Sequence, residues 1–320
     1  MAPIAAALLP HPPLLVPDLA GTAAPELDPL RAACREALVT VTAAADLTIL
    51  VGTGPVWAVP TPSALGSFHP YGADLDVTLP ALTDLDLPAA PPPAQLAELP
   101  LSLAIAAHLL ATLDPPPTRL AAVTVPAALG PSAAATIGHA LAAAGQRVAA
   151  ADSGPPSGSR GDQAHGSADR ARAAARIGLV VMGDLSACRT DRAPGGFRPE
   201  AAAFDASISE AFHSAAPRRL LDLDPTQAAT LLVSARVPLQ VLAGAFEQID
   251  PTGEARGRQG QPGRGGPIAK VPGEHGSDAV ARQTGSGGTL DQTRPALRGR
   301  VLYERAPYGV GYLVAILTAS

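Results

Sequence analysis

Aromatic side chains make up only 3% of the 320 residues, which excludes an interior built around Phe and Trp. Hydrophobic residues still reach 47%, so the core has to come from Ala, Leu and Val, each of which gains less on burial than a large ring. Lysine is nearly missing: Lys270 stands alone, and arginine carries almost all the positive charge. The formal charge of -5 leaves no electrostatic footprint for nucleic acid. Two cysteines, Cys34 and Cys188, are too few for a disulfide framework or a zinc cage, and a reduced cytoplasmic setting is expected. No run is long enough to span a bilayer, since Leu47–Val51 is cut short by Gly52. The apolar stretch Ala2–Leu9 has no basic flank and ends at once in prolines, unlike a signal peptide. Gly52-Thr53-Gly54 is not followed by the rest of a dinucleotide fingerprint, and no Gly-x-Ser-x-Gly elbow occurs. The expectation is a cytoplasmic protein with no nucleic-acid or membrane partner and no nucleotide cofactor. A small-molecule ligand is compatible with this composition, which sets no oligomeric state.

Strand-like and helix-like runs alternate in the rest of the chain. Ile4–Leu9 reads as a buried strand. Leu27, Leu30, Cys34, Leu38 and Val41 recur at spacings of three and four, which predicts a helix over Pro25–Ala45. Further strands are expected at Leu47–Val51, Leu120–Val125, Ile177–Met182, Leu239–Ala245, Val301–Tyr303 and Val310–Leu317. Further helices are expected at Ser102–Leu113, Ser132–Ala144, Pro199–Ala215 and Pro225–Ala235. This interleaving predicts one domain over residues 1–320, a three-layer α/β/α fold with a mostly parallel central sheet. Two segments do not belong to that pattern. Asp152–Arg172 and Asp250–Arg300 are rich in Gly, Ser and charge, bury too little to offset their ordering entropy, and are expected to be disordered insertions.

The tetrapeptide Pro10-His11-Pro12-Pro13 stands out chemically. The two prolines end the first strand and leave His11 in the loop at its carboxyl end. Loops leaving that edge of a parallel sheet are where ligands bind, so His11 is a candidate metal ligand or general base. A solvent-facing loop histidine is the plainer alternative.

Five stretches carry a resemblance: Leu9-Pro10-His11-Pro12-Pro13, Val51-Gly52-Thr53-Gly54-Pro55, Leu99-Pro100-Leu101-Ser102-Leu103, Met182-Gly183-Asp184-Leu185-Ser186 and Ala306-Pro307-Tyr308-Gly309-Val310-Gly311-Tyr312. Taken in order, they resemble the class III extradiol ring-cleavage dioxygenases, specifically the LigB-like, alanine-rich actinobacterial branch. The resemblance spans most of the chain outside the two low-complexity segments. In active members it implies Fe(II) held by two histidines and a carboxylate, with positions open for a catechol and O2 and a further histidine as acid/base. His11 matches the first metal histidine. The second histidine is expected just after the second strand, where this chain has Gly54, Pro55, Val56 and Trp57. The acid/base histidine is expected after the Gly-Asp-Leu-Ser turn, where it has Ala187 and Cys188. Substitutes are available in His69 and Glu304 as metal ligands, and in Asp184 and Ser186 as catalytic groups. Two readings follow. One is a dioxygenase-like oxidoreductase, using Fe(II) if active, on a small aromatic or oxygen-rich substrate. The other is a binding or interaction scaffold that has lost the metal.

Overall fold

The computed structural model describes residues 4–80, 82–87, 92–151, 176–247 and 296–319. In chain order these form β1 (Ala5–Leu9), α1 (Pro17–Ala20), α2 (Asp28–Ala44), β2 (Leu47–Gly54), β3 (Ala58–Ser67), β4 (Asp76–Thr78), β5 (Ala94–Glu98), α3 (Leu101–Leu110), β6 (Leu120–Pro126), α4 (Pro131–Ala151), β7 (Ile177–Met182), α5 (Ala201–His213), α6 (Pro225–Thr230), α7 (Arg236–Phe246), β8 (Leu297–Arg305) and β9 (Tyr312–Ala319). The fold is α/β. The insertion expected at 152–172 and residues 250–295 of the longer one lie outside the described residues.

All five residues of β1 and all six of β7 are buried. The two strands pair in parallel from Ala5↔Gly178 to Leu9↔Met182. β2 follows on the far side of β7 and β6 beyond it, both parallel. This central block agrees with the expectation of a parallel sheet, but the flanks do not. β9 runs antiparallel to β1, and β8 antiparallel to β9. At the other end β3 meets β6 antiparallel at Ala58↔Thr124 and carries β4 and β5. Four of the eight pairings among these strands are therefore parallel and four antiparallel.

Alternation along each strand sorts the apolar side chains into two cores. Ala6, Leu8, Ile49, Val51, Leu179 and Val181 join the buried residues of α4, α5 and α7. Ala5, Ala7, Leu9, Leu50, Val180 and Met182 join those of α2 and α3. Helices thus cover both faces of the central strands, which is why those strands are buried at nearly every position and mostly apolar. No helix among the described residues is long and apolar enough to cross a membrane.

Several boundaries differ from the sequence expectation. Leu239–Ala245, expected as a strand, lies within helix α7, whose eleven residues are all buried. Over the short apolar run Leu239–Ala245, strand and helix read alike. Pro238 is tolerated because it sits in the first turn. β8 extends from Leu297 to Arg305, so the end of the expected 250–300 insertion belongs to the sheet. Strands β3, β4 and β5 were not anticipated: β3 contains Pro60 and Pro62, and β4 and β5 are largely exposed.

Helix α7 crosses α4 where both lack a side chain. A Cβ on Gly138 would collide with the Val241 carbonyl oxygen, and one on Gly244 with that of Ala135. The buried guanidinium of Arg236 satisfies the carbonyls of Ala127 and Leu129 and the Gln240 side chain. Gly244→Ala is expected to lower unfolding stability by about 1–3 kcal/mol, the scale of overpacking against backbone that cannot yield. A urea midpoint unchanged from the parent protein would show that the helices do not meet this closely.

His108 on α3 lies edge-on to Phe68, with ring centroids 6.1 Å apart, and burial lowers its pKa below 6.5. Just below that pH the unfolded chain binds a proton that the folded protein refuses, so stability falls as pH falls through this window. Replacing His108 with Leu is expected to flatten that part of the stability–pH profile. An unaltered slope would assign it to other groups.

Candidate functional site

β1 and β7 end side by side, and their exit loops stay in contact. The Gly183 N–H donates to the Leu9 carbonyl at 2.9 Å, extending the ladder by one bond. The next polar contact comes from the following residue, with the backbone N–H of His11 donating to Asp184 Oδ1 at 2.9 Å. Asp184 is held in turn by Ser234, whose Oγ accepts its N–H at 2.8 Å, and by the Ala235 N–H on its carbonyl at 3.0 Å. His11 is only 8% exposed, so it is a buried residue of this edge rather than a solvated loop side chain. Its Nδ1 is buried with no hydrogen-bond partner among the described residues. Burial, reinforced by the Asp184 charge, pushes the Cys34 thiol and the Tyr312 phenol up, so both stay protonated.

Ser186 is tied elsewhere. Its N–H donates to Asp205 Oδ1 at 2.9 Å and its hydroxyl to Asp205 Oδ2 at 2.7 Å. Arg189 NH1 donates to the same Oδ2 at 2.9 Å. Asp205 is 1% exposed, so α5 presents a buried carboxylate that gathers the loop after β7. One turn further along α5, the Ser209 hydroxyl donates to Glu304 Oε2 at 2.7 Å. His213 Nδ1 lies 3.1 Å from the Ser209 carbonyl oxygen. His69 follows β3, with Nε2 3.2 Å from Asp74 Oδ1 and 3.6 Å from Asp76 Oδ1. Cys188 is buried, with Sγ 3.6 Å from the Leu231 carbonyl oxygen.

The structure therefore brings His11 to Asp184, Ser186 to Asp205, Glu304 to Ser209, and His69 to its own hairpin. Among the described residues no group of three or more His, Cys, Asp or Glu side chains is placed to hold a metal. A metal-bound histidine donates its second ring N–H to an acceptor. If Nε2 of His11 bound iron, the N–H would sit on Nδ1, where no acceptor is found among the described residues. The residues present do not fit the Fe(II) triad that the resemblance implies.

A cavity of about 180 Å³ does open on this edge, lined by Leu185, Arg189, Asp205, Glu304, Ala306 and Tyr312, with Arg305 and Gly311. The turn between β8 and β9, expected as a cleft wall, is stitched to the loop after β7. The Leu185 N–H donates to the Gly311 carbonyl at 2.9 Å, the Gly311 N–H to the Ser186 carbonyl at 2.8 Å, and the Arg189 N–H to the Gly309 carbonyl at 3.0 Å. Gly311 has to lack a side chain, because a Cβ there would meet Asp205 Oδ2 at 2.6 Å. At the tip of the turn, Tyr308 takes a left-handed conformation (φ 59°) and donates its hydroxyl to Glu26 at 2.9 Å.

Asp205 and Ser209 were not among the residues singled out from the sequence. A signal for them exists: Asp205 and Ser209 stand four apart within the apolar set Phe204, Ile208, Ala211 and Phe212. Polar groups on the buried stripe of a helix need partners.

No family profile and no curated protein matches the chain. Solved structures similar to it include the crystal structure of the uncharacterized protein JW3007 from Escherichia coli K12, at 11% sequence identity and a TM-score of 0.46, covering 99% of this chain and 100% of that one.

Asp205→Ala removes the acceptor of three hydrogen bonds. It is expected to destabilise the fold by roughly 2–4 kcal/mol, a loss tempered by the partial exposure of Arg189. Asp205→Asn, which keeps the shape, should lose less. Guanidinium denaturation of both variants reads this, and equal losses would show that charge plays no part.

Proposed function

We propose that the protein is a cytoplasmic, LigB-like member of the extradiol dioxygenase superfamily fold, a three-layer α/β/α scaffold whose carboxyl-edge crevice binds a small molecule without an iron centre. The observation that carries this reading is the arrangement around His11. One carboxylate, Asp184, stands beside it, while His69 and Glu304 are engaged with other partners. Losing even an outer partner of a metal ligand lowers affinity roughly 10–100-fold, and losing ligands themselves costs at least as much.

The family resemblance is supported by how its motifs meet. Gly183 bonds Leu9, Gly311 bonds Ser186, and the Ser102 hydroxyl donates to the Thr53 carbonyl at 2.8 Å. All five stretches thus take part in contacts between strand ends and their loops, the place where ligands enter α/β sheets. A second reading, an Fe(II)-dependent ring-cleaving oxidoreductase with rearranged ligands, draws on the same His11–Asp184 contact.

Metal analysis of untagged protein purified without oxygen separates the two. The scaffold reading expects clearly less than one iron per chain and no uptake of added Fe(II). One iron per chain together with oxygen consumption on a catechol would replace it with the enzyme.

A further inference from the structure

The cavity at this edge is lined by both signs of charge, Arg189 and Arg305 with Asp205 and Glu304. Arg189 is held by Asp205, and Glu304 by Ser209. No ion pair joins Arg189 to Glu304, although both line the same space. Asp205 and Ser209 are four residues apart on α5, so the two anchors lie about 6 Å apart along the helix axis. Each anchor is itself buried, Asp205 1% and Ser209 4% exposed. The charged groups are thereby fixed from behind, with capacity left towards the cavity. Arg189 uses NH1 on Asp205, and none of its other N–H groups has a partner among the described residues. Glu304 uses Oε2 on Ser209, and Oε1 has none.

Resting on the reading of this crevice as a binding site, we infer that its ligand is a small zwitterion of the α-amino-acid type, with its carboxylate on Arg189 and its ammonium on Glu304. A simple carboxylate approaching Arg189 meets Glu304 as a like charge, and a simple amine approaching Glu304 meets Arg189. A ligand with both charges, a few bonds apart, finds an opposite sign at each end, with Arg305 also on the lining. The volume of about 180 Å³ is below the ~300–1,000 Å³ of sites for drug-sized molecules, which restricts the ligand to a few heavy atoms beyond its charged groups. Leu185 and Ala306 offer those atoms an apolar wall.

Titration calorimetry on the full chain tests this with L-alanine, L-serine and L-valine as probes, and with propionate and ethylamine as analogues of alanine that keep one charge each. At least one amino acid should bind about tenfold more tightly than either analogue, the scale of one charged hydrogen bond. Glu304→Gln keeps the acceptor for Ser209 and alters an exposed side chain, so the fold survives it. That variant should bring the amino acid down to the affinity of propionate while leaving propionate no weaker. Propionate binding as well as alanine, a preference that persists in Glu304→Gln, or no amino acid bound at millimolar concentration would each overturn the inference. Those outcomes leave the scaffold reading standing if benzoate or catechol still binds to metal-free protein. Iron uptake with catechol cleavage overturns that reading instead, and the amino-acid preference is still measurable on the apo chain.

Discussion

The parallel pairing of β1 with β7 is the contact on which the rest of the molecule depends. Five consecutive residue pairs, Ala5↔Gly178 to Leu9↔Met182, fix the register of the sheet's centre. Because side chains alternate with period two, that register decides which half of each strand faces α2 and α3 and which faces α4, α5 and α7. It also decides where the loops emerge. With Leu9 opposite Met182, the prolines around His11 and the Gly183–Ser186 turn leave the sheet at the same level, and the contact between His11 and Asp184 follows.

A core of small side chains sets the second constraint. Alanine brings little apolar area to an interface, so stability has to come from many close contacts rather than a few large ones. The crossing of α4 and α7 shows the result, with two glycines allowing one helix backbone to touch the other. The same economy of volume applies at the site, where Gly311 lets the turn after β8 lie directly against Asp205. The buried carboxylate then organises three groups that a bulkier residue at position 311 would displace.

Much of this could be read from the residues. The four central strands were legible because burial on both faces demands a mostly apolar run, and β1, β2, β6 and β7 supply it with threonine as their only polar side chain. The flanking strands β3 to β5 were hidden because half-exposed edges with proline give no such run. Helix α7 misleads for the opposite reason, being buried all round, Arg236 and Gln240 included. At the site, the neighbouring position of His11 and Asp184 follows from topology alone, since adjacent parallel strands end together. The distribution of the other polar groups does not. His69 sits in a hairpin that supplies its own carboxylates, and Glu304 is claimed by a serine on a helix almost a hundred positions earlier. Such pairings depend on how a helix rotates over the sheet, which no local pattern states.

The place of β9 has a consequence for how the chain reaches this structure. It lies between β1 and β8, so the second edge of β1 is completed by Thr318 and its neighbours, at the opposite end of the chain. During synthesis on the ribosome β1 emerges before both of its partners, β7 and β9. The sheet therefore cannot close from its amino-terminal half outwards. The first strand has to wait with one or both edges open, and closing the contact carries the loop-closure entropy of almost the whole chain. An exposed apolar strand in the interim is an edge that other chains can join.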